Sequence, residues 1–366
     1  MMHSYDIPLV PGPTSVPQPI LSSYTTDYGS GDLESEYVDL YCDTQTAIQR
    51  ILGTRNQLAL MSGEGMVALW GALNSTIQPG DRVLAVATGV FGYGIGDMAA
   101  SIGAEVETVG FEYDQAVDDL ARVEEAILRF RPKMVTLVHC ETPSGIINPA
   151  AELGALVRQH DVPLYYVDVV ASMAGMPVLA DEWRIDLCLG GTQKALSAVP
   201  DMGIVAVSER AWDIIDEVGY QGYDALAPFR TAVANAYFPY TPNWQATAAL
   251  YTAAKLVLDE GLEQVFERHQ RAAVYCRSQV QELGLQLFPR QIASSAPTVT
   301  AVKVPEHISW PQLDAALRSQ GMVVGGSYGP LANKVFRIGH MGAQADLDLL
   351  TRGCRILSEA LKDLEM

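Results

Sequence analysis

Positive charge is what this chain has least of: 24 lysines and arginines face 43 aspartates and glutamates, for a formal charge of −19. The basic residues are scattered as well as few. Nucleic acid and anionic membranes are bound by clustered Lys and Arg, so neither is an expected partner, and a small ligand is. Long apolar runs are also missing. The richest window, residues 163–180, is interrupted by Asp168 and Ser172 and closed by Asp181, so no membrane span is expected. Met1-Met2-His3-Ser4-Tyr5-Asp6 has neither a basic flank nor an apolar stretch, so no export signal is expected either. Five cysteines (Cys42, Cys140, Cys188, Cys276, Cys354) lie far apart without a CxxC pair. Their odd count fits reduced, mostly buried thiols in a cytoplasmic compartment. There is no HExxH and no Cys/His cluster, and His139, His160, His269 and His340 stand apart, so no metal site is expected. A GxSxG elbow is absent too, which leaves a serine hydrolase without support. Repeats and low-complexity linkers are not seen.

What is present is a 366-residue chain, 49% hydrophobic, long enough for a large core and two domains. Short apolar runs at 58–61, 82–87, 105–109, 134–139, 164–169, 187–190 and 204–207 predict strands. Helical periodicity falls between them, for example at 118–129 and 150–160. That alternation predicts an α/β fold with a large, mainly parallel sheet. Beyond it, helices at 246–260 and 263–283, strands at 298–304, 322–325 and 334–339, and a closing helix at 345–364 predict a smaller α+β domain. Residues 8–17 are too proline-rich for a helix or a central strand and predict an extended arm. The expected organisation is an arm at 1–20, a large cofactor-binding domain at 21–260 and a small C-terminal domain at 261–366.

Ligands of open α/β sheets gather beyond the carboxyl ends of the strands, where Gly63, Phe91, Thr142, Asp168 and Lys194 fall. Lys194 and Asp168 suggest pyridoxal phosphate chemistry: a Schiff-base lysine, and an acid that keeps the pyridine nitrogen protonated so that the ring accepts electrons. Ser62-Gly63-Glu64-Gly65, between a strand and a helix, is a candidate anion cradle, with a plain structural turn as the competing account. Residues 63–68 also match GxGxxA, but the next strand ends in Thr88-Gly89 rather than the acid that holds a ribose. Phe91, among glycines, can stack on a flat ring or belong to the core. Thr142 can bond a phenolic oxygen or cap a turn. Arg337, alone in an apolar strand, requires an anion, either a substrate carboxylate or a structural partner.

Taken in order, these motifs resemble the alanine–glyoxylate/serine–pyruvate branch of the class V aminotransferases. The likeness runs through Pro11-Gly12-Pro13-Thr14, Ser62-Gly63, Gly89-Val90-Phe91-Gly92, Thr142-Pro143-Ser144-Gly145, Val167-Asp168, Gln193-Lys194-Ala195-Leu196, Pro297-Thr298-Val299-Thr300 and Arg337-Ile338-Gly339. The resemblance implies the type I fold of pyridoxal-phosphate enzymes and a homodimer with active sites at the interface. It also implies roles for individual residues. Lys194 and Asp168 would be catalytic, and Phe91 and Val170 would pack on the two ring faces. Thr142 would contact the ring oxygen, and Ser62, Gly63, Glu64, Thr192 and Gln193 would lie around the phosphate. Thr241 would be a phosphate contact lent by the partner, and Gly12, Arg337 and Tyr328 would meet the substrate.

Glu64 departs from the pattern, because a carboxylate repels a phosphate dianion. A glutamate there resembles pyridoxamine–pyruvate aminotransferase, which takes free pyridoxamine, although Gln193 keeps the phosphate-type residue and Tyr328 replaces a second arginine. The expected function is therefore transfer of an amino group from alanine or serine to glyoxylate or pyruvate. The alternatives are pyridoxamine–pyruvate transfer and a non-catalytic metabolite-binding protein on the same fold.

Overall fold

In the computed structural model, which describes residues 5–365, thirteen strands form three sheets. In chain order they are β1 (Ile7–Leu9), β2 (Gln57–Ser62), β3 (Arg82–Ala87), β4 (Glu105–Gly110), β5 (Met134–Val138), β6 (Cys140–Glu141), β7 (Ile146–Ile147), β8 (Leu164–Asp168), β9 (Leu187–Gly191), β10 (Met202–Val207), β11 (Val299–Lys303), β12 (Met322–Gly326) and β13 (Val335–Gly339). The large sheet runs β2-β10-β9-β8-β5-β3-β4. Strands β9, β8, β5, β3 and β4 are parallel, while β10 is antiparallel to both neighbours. Every residue of β5, β8, β9 and β10 is buried, as expected for strands covered on both faces. Their unbroken apolar runs are what made them legible in the sequence.

The small sheet runs β1-β12-β13-β11, and its first strand comes from the arm. Here the expectation of a purely extended arm is corrected. Ile7–Leu9 pairs in parallel with Met322–Val324, and Ile7 and Leu9 enter the small core beside Val324, Phe336 and Leu357. Pro8 is tolerated because β1 is an edge strand. Gln18–Ser22 is a short helix with Pro19 in its first turn, where a missing N–H leaves no bond unmade. Residues 1–4 of the expected arm lie outside the described residues.

One helix that periodicity did not reveal positions the site. Val90–Ser101 carries Gly92, Gly94 and Gly96, which lower helix propensity. Two of them are needed for close packing on β3: a Cβ at Gly92 would lie 2.9 Å from Ala87 Cα, and one at Gly96 would lie 3.2 Å from Ala85 Cβ. Tertiary packing therefore overrides propensity and sets Phe91 at the helix N-terminus, above the strand ends.

Candidate active site

A cavity of about 110 Å³ opens at the carboxyl ends of β8 and β9, lined by Glu64, Gly65, Phe91, Cys140, Thr142, Asp168, Val170, Gln193 and Lys194, among others. Asp168, the last residue of β8, is held from two sides. Val170 N–H donates to its carboxylate at 2.8 Å, and its own carbonyl accepts from His139 N–H at 2.9 Å. Burial raises its pKa to about 6, against the opposing pull of the Val170 N–H and of Lys194. Lys194 follows β9 in a tight turn, and its amine donates to the Pro11 carbonyl at 2.7 Å. Burial, followed by the positive charge of Arg337, lowers its ammonium to about 8. A carboxylate and an amine whose affinities for protons are drawn together by one cavity suit proton movement near neutrality.

The arm closes over this lysine. Thr14 N–H donates to Gln193 O at 3.1 Å and its hydroxyl to Lys194 O at 2.9 Å. Gly12 has φ +96°, and any Cβ there would meet Lys194 Cδ at 2.5 Å. Only glycine satisfies both the backbone angle and that approach.

At the other end, Gly63 turns at φ +129° and Glu64 forms the N-cap of the helix Gly65–Thr76. Gln193 Nε2 donates to the Glu64 carboxylate at 2.7 Å, while Gln193 Oε1 is buried with no partner. Ser62 N–H donates to Tyr240 Oη at 3.0 Å. The Thr192 hydroxyl donates to Val199 O at 2.5 Å, so its side chain is turned into its own loop. Thr241 is exposed and lies outside this cavity.

Thr142 lines the cavity, and its hydroxyl makes no hydrogen bond among the described residues. Phe91 lines it too, and what fixes Phe91 was missed in the sequence. Glu141, fully buried, accepts from Gly92 N–H at 2.6 Å and from Phe91 N–H at 3.2 Å. It thereby caps the helix from a neighbouring strand. Its burial, opposed by those two bonds, raises its pKa to about 7. Glu141 stands beside Thr142 in the sequence, but nothing local shows that it reaches a helix fifty residues away. Cys140 is a second unforeseen wall of the cavity, its thiol pushed up to about 12 by burial.

Arg337 on β13 is 3% exposed and has no carboxylate partner among the described residues. Its Nε donates to Gly326 O at 2.9 Å, Nη2 bonds the same oxygen, and the Tyr328 ring lies 4.7 Å from the guanidinium. The structural ion pair weighed for it is therefore not formed, and Tyr328 covers one guanidinium face as a cation–π partner.

Residues 11–335 match the family model described as aminotransferase class-V. An uncharacterised aminotransferase of Methanocaldococcus jannaschii is 36% identical over 97% of this chain and 92% of its own. Alanine–glyoxylate aminotransferase of Oryctolagus cuniculus is 31% identical over 97% of this chain and 92% of its own. The crystal structure of pyridoxamine–pyruvate aminotransferase from Mesorhizobium loti superposes with a TM-score of 0.95 at 28% identity, covering all of this chain and 94% of that one.

Proposed function

Because the chain belongs to the class V aminotransferases, we propose that it moves an amino group from a small amino acid, alanine or serine, to glyoxylate or pyruvate. It is a pyridoxal-phosphate-dependent transaminase of the type I fold, acting between amino acids and 2-oxo acids. The observation that carries this reading is the pairing of Lys194 with Asp168 in one cavity, with Arg337, outside the cavity lining but close enough for its charge to act on Lys194, lacking an ion-pair partner among the described residues. The alternative of a non-catalytic binder leaves a buried lysine of lowered basicity without a purpose.

The residues fit the cofactor ring. Phe91 and Val170 line the cavity, the free Thr142 hydroxyl matches a phenolic oxygen, and Asp168 lies at the strand end as an acceptor for a protonated ring nitrogen. When bound, pyridoxal phosphate supplies an electron sink for the carbanion at the substrate α-carbon. Lys194 would hold the cofactor and, as a free amine, would carry the proton from the substrate α-carbon. Asp168 keeps the ring nitrogen charged, Arg337 fixes the substrate carboxylate, and Gly12 leaves room beside the lysine. Gly63 and Gln193, with Ser62 and Thr192, would hold the phosphate.

In this reading the enzyme is a cytoplasmic homodimer whose interface completes each site. Exposed Thr241 lends the phosphate contact, and unpaired cysteines are consistent with the compartment. Of the arm proposed at 1–20, residues 7–15 tie the large domain, 21–260, to the small one, 261–366. Lys194→Ala should abolish transfer from alanine to glyoxylate in a coupled assay; undiminished turnover would refute the assignment. One observation favours a second reading, with free pyridoxamine as donor to pyruvate. Glu64 holds its carboxylate at the head of the cradle, engaged by Gln193. The two readings separate on the purified protein: a yellow holoenzyme active on amino acids supports the first, and a colourless one that turns over pyridoxamine without added cofactor supports the second.

A further inference from the structure

Two arginines are buried among the described residues, Arg337 and Arg277, and neither has an ion-pair partner. Arg337 serves the site above. Arg277, on the helix Leu262–Glu282, is 7% exposed and faces a separate cleft of about 690 Å³, within the range of about 300–1,000 Å³ usual for small-ligand sites. Of its five N–H donors one is used, Nη1 donating to Ala296 O at 3.2 Å. A cation withdrawn from water with no counter-charge is costly, and its burial lowers its basicity. Ser295, next in sequence to Ala296, lines the same cleft, and its hydroxyl is buried with no hydrogen-bond partner among the described residues. Ile147, Met176, Trp183 and Pro297 form an apolar part of the wall, while Gln270, Ser278 and Gln281 add polar side chains to the rest. Val274 and Ile292, 54% and 56% exposed, add large hydrophobic side chains open to water.

We propose that this cleft is a second ligand site, which takes a small organic carboxylate with an apolar body. The carboxylate would receive the free N–H groups of Arg277 and the Ser295 hydroxyl, and the body would cover Trp183, Val274 and Ile292. In a molecule of net charge −19, an anion site needs a buried cation of this kind, since a surface lysine would be offset by the surrounding field. The cleft backs onto the active site. His139 lines it, packs edge-on to Trp183 at 5.1 Å, and donates its backbone N–H to the Asp168 carbonyl at 2.9 Å.

The test is calorimetric titration of the holoenzyme with 3-phenylpropionate, and with 3-phenylpropanol as its uncharged counterpart. The Arg337→Leu holoenzyme is titrated in parallel to remove the active-site anchor. Saturable binding of the acid that survives Arg337→Leu, falls about tenfold or more in Arg277→Gln, and exceeds that of the alcohol by a similar factor is expected. Partial recovery in Arg277→Lys is expected too. Equal binding of acid and alcohol, undiminished affinity in Arg277→Gln, or no saturable binding would overturn the proposal. Should Arg277→Gln not fold, wild-type crystals soaked in 3-(4-bromophenyl)propionate decide the matter. An anomalous bromine peak beside Trp183 supports the site, and its absence overturns it.

Discussion

At the scale of single residues, Lys194 and Glu64 each leave a measurable trace, the first through its basicity and the second through its charge. Burial and Arg337 bring the Lys194 ammonium down to about 8. Only the neutral amine attacks an aldehyde, so uptake of pyridoxal phosphate by apoprotein, followed by absorbance, should rise about tenfold per pH unit below 8 and level off above it. A flat rate between pH 6 and 9 would remove Lys194 as the group that captures the aldehyde. Glu64 stands at the proposed phosphate cradle, its carboxylate already bound to Gln193 Nε2. Replacing it by serine removes a like charge and frees that amide. Glu64→Ser should therefore tighten pyridoxal phosphate binding relative to pyridoxal by about tenfold, measured by fluorescence titration of both ligands. An unchanged ratio would place the phosphate away from this turn.

The helix Val90–Ser101 shows why some elements were legible and others not. Strands such as β5, β8 and β9 announce themselves because burial on both faces demands an unbroken apolar run. This helix is specified by what lies outside it: glycines that admit β3, and a capping carboxylate from Glu141. Lys194, Asp168, Phe91 and Arg337 could be singled out because each residue type is unusual in its local setting. The fate of the Thr192 hydroxyl and the capping by Glu141 could not, because their partners are set by tertiary contacts. The cap carries its own pH dependence. Folding raises the Glu141 carboxyl from an ordinary 4.5 to about 7, so the folded chain keeps a proton that the unfolded chain releases, and stability falls as pH rises from 4.5 to 7. Asp168, raised to about 6, adds a similar fall over a lower window. Glu141→Gln cannot titrate, so its apoprotein should lose less melting temperature between pH 5 and pH 7 than wild type does. Equal losses in the two proteins would show that the cap does not ionise in that range.

At the scale of the whole molecule, the site is assembled from two cores, one around the large sheet and one around the small. Lys194 and Asp168 follow strands of the first, and Arg337 lies on a strand of the second, so their separation is only as fixed as the join between the cores. The arm is part of that join, and Gln344, fully buried, fastens it. Its Oε1 accepts from Ser15 N–H at 2.9 Å, and its Nε2 donates to Val10 O at 2.8 Å and to Gly339 O at 3.1 Å. One side chain thus grips the arm on both sides of Gly12 while holding the end of the strand that bears Arg337. Gln344→Ala leaves these three backbone groups without that partner, which should cost about 1–3 kcal/mol and lower the melting temperature. A merely structural role would stop there. If Gln344 keeps the arm seated over Lys194 in register with Arg337, KM for the amino acid should rise about tenfold while Lys194 still captures cofactor at the wild-type rate. A fall in melting temperature with KM unchanged would mean that the arm stays seated without it, and that the small sheet alone sets the distance between lysine and arginine.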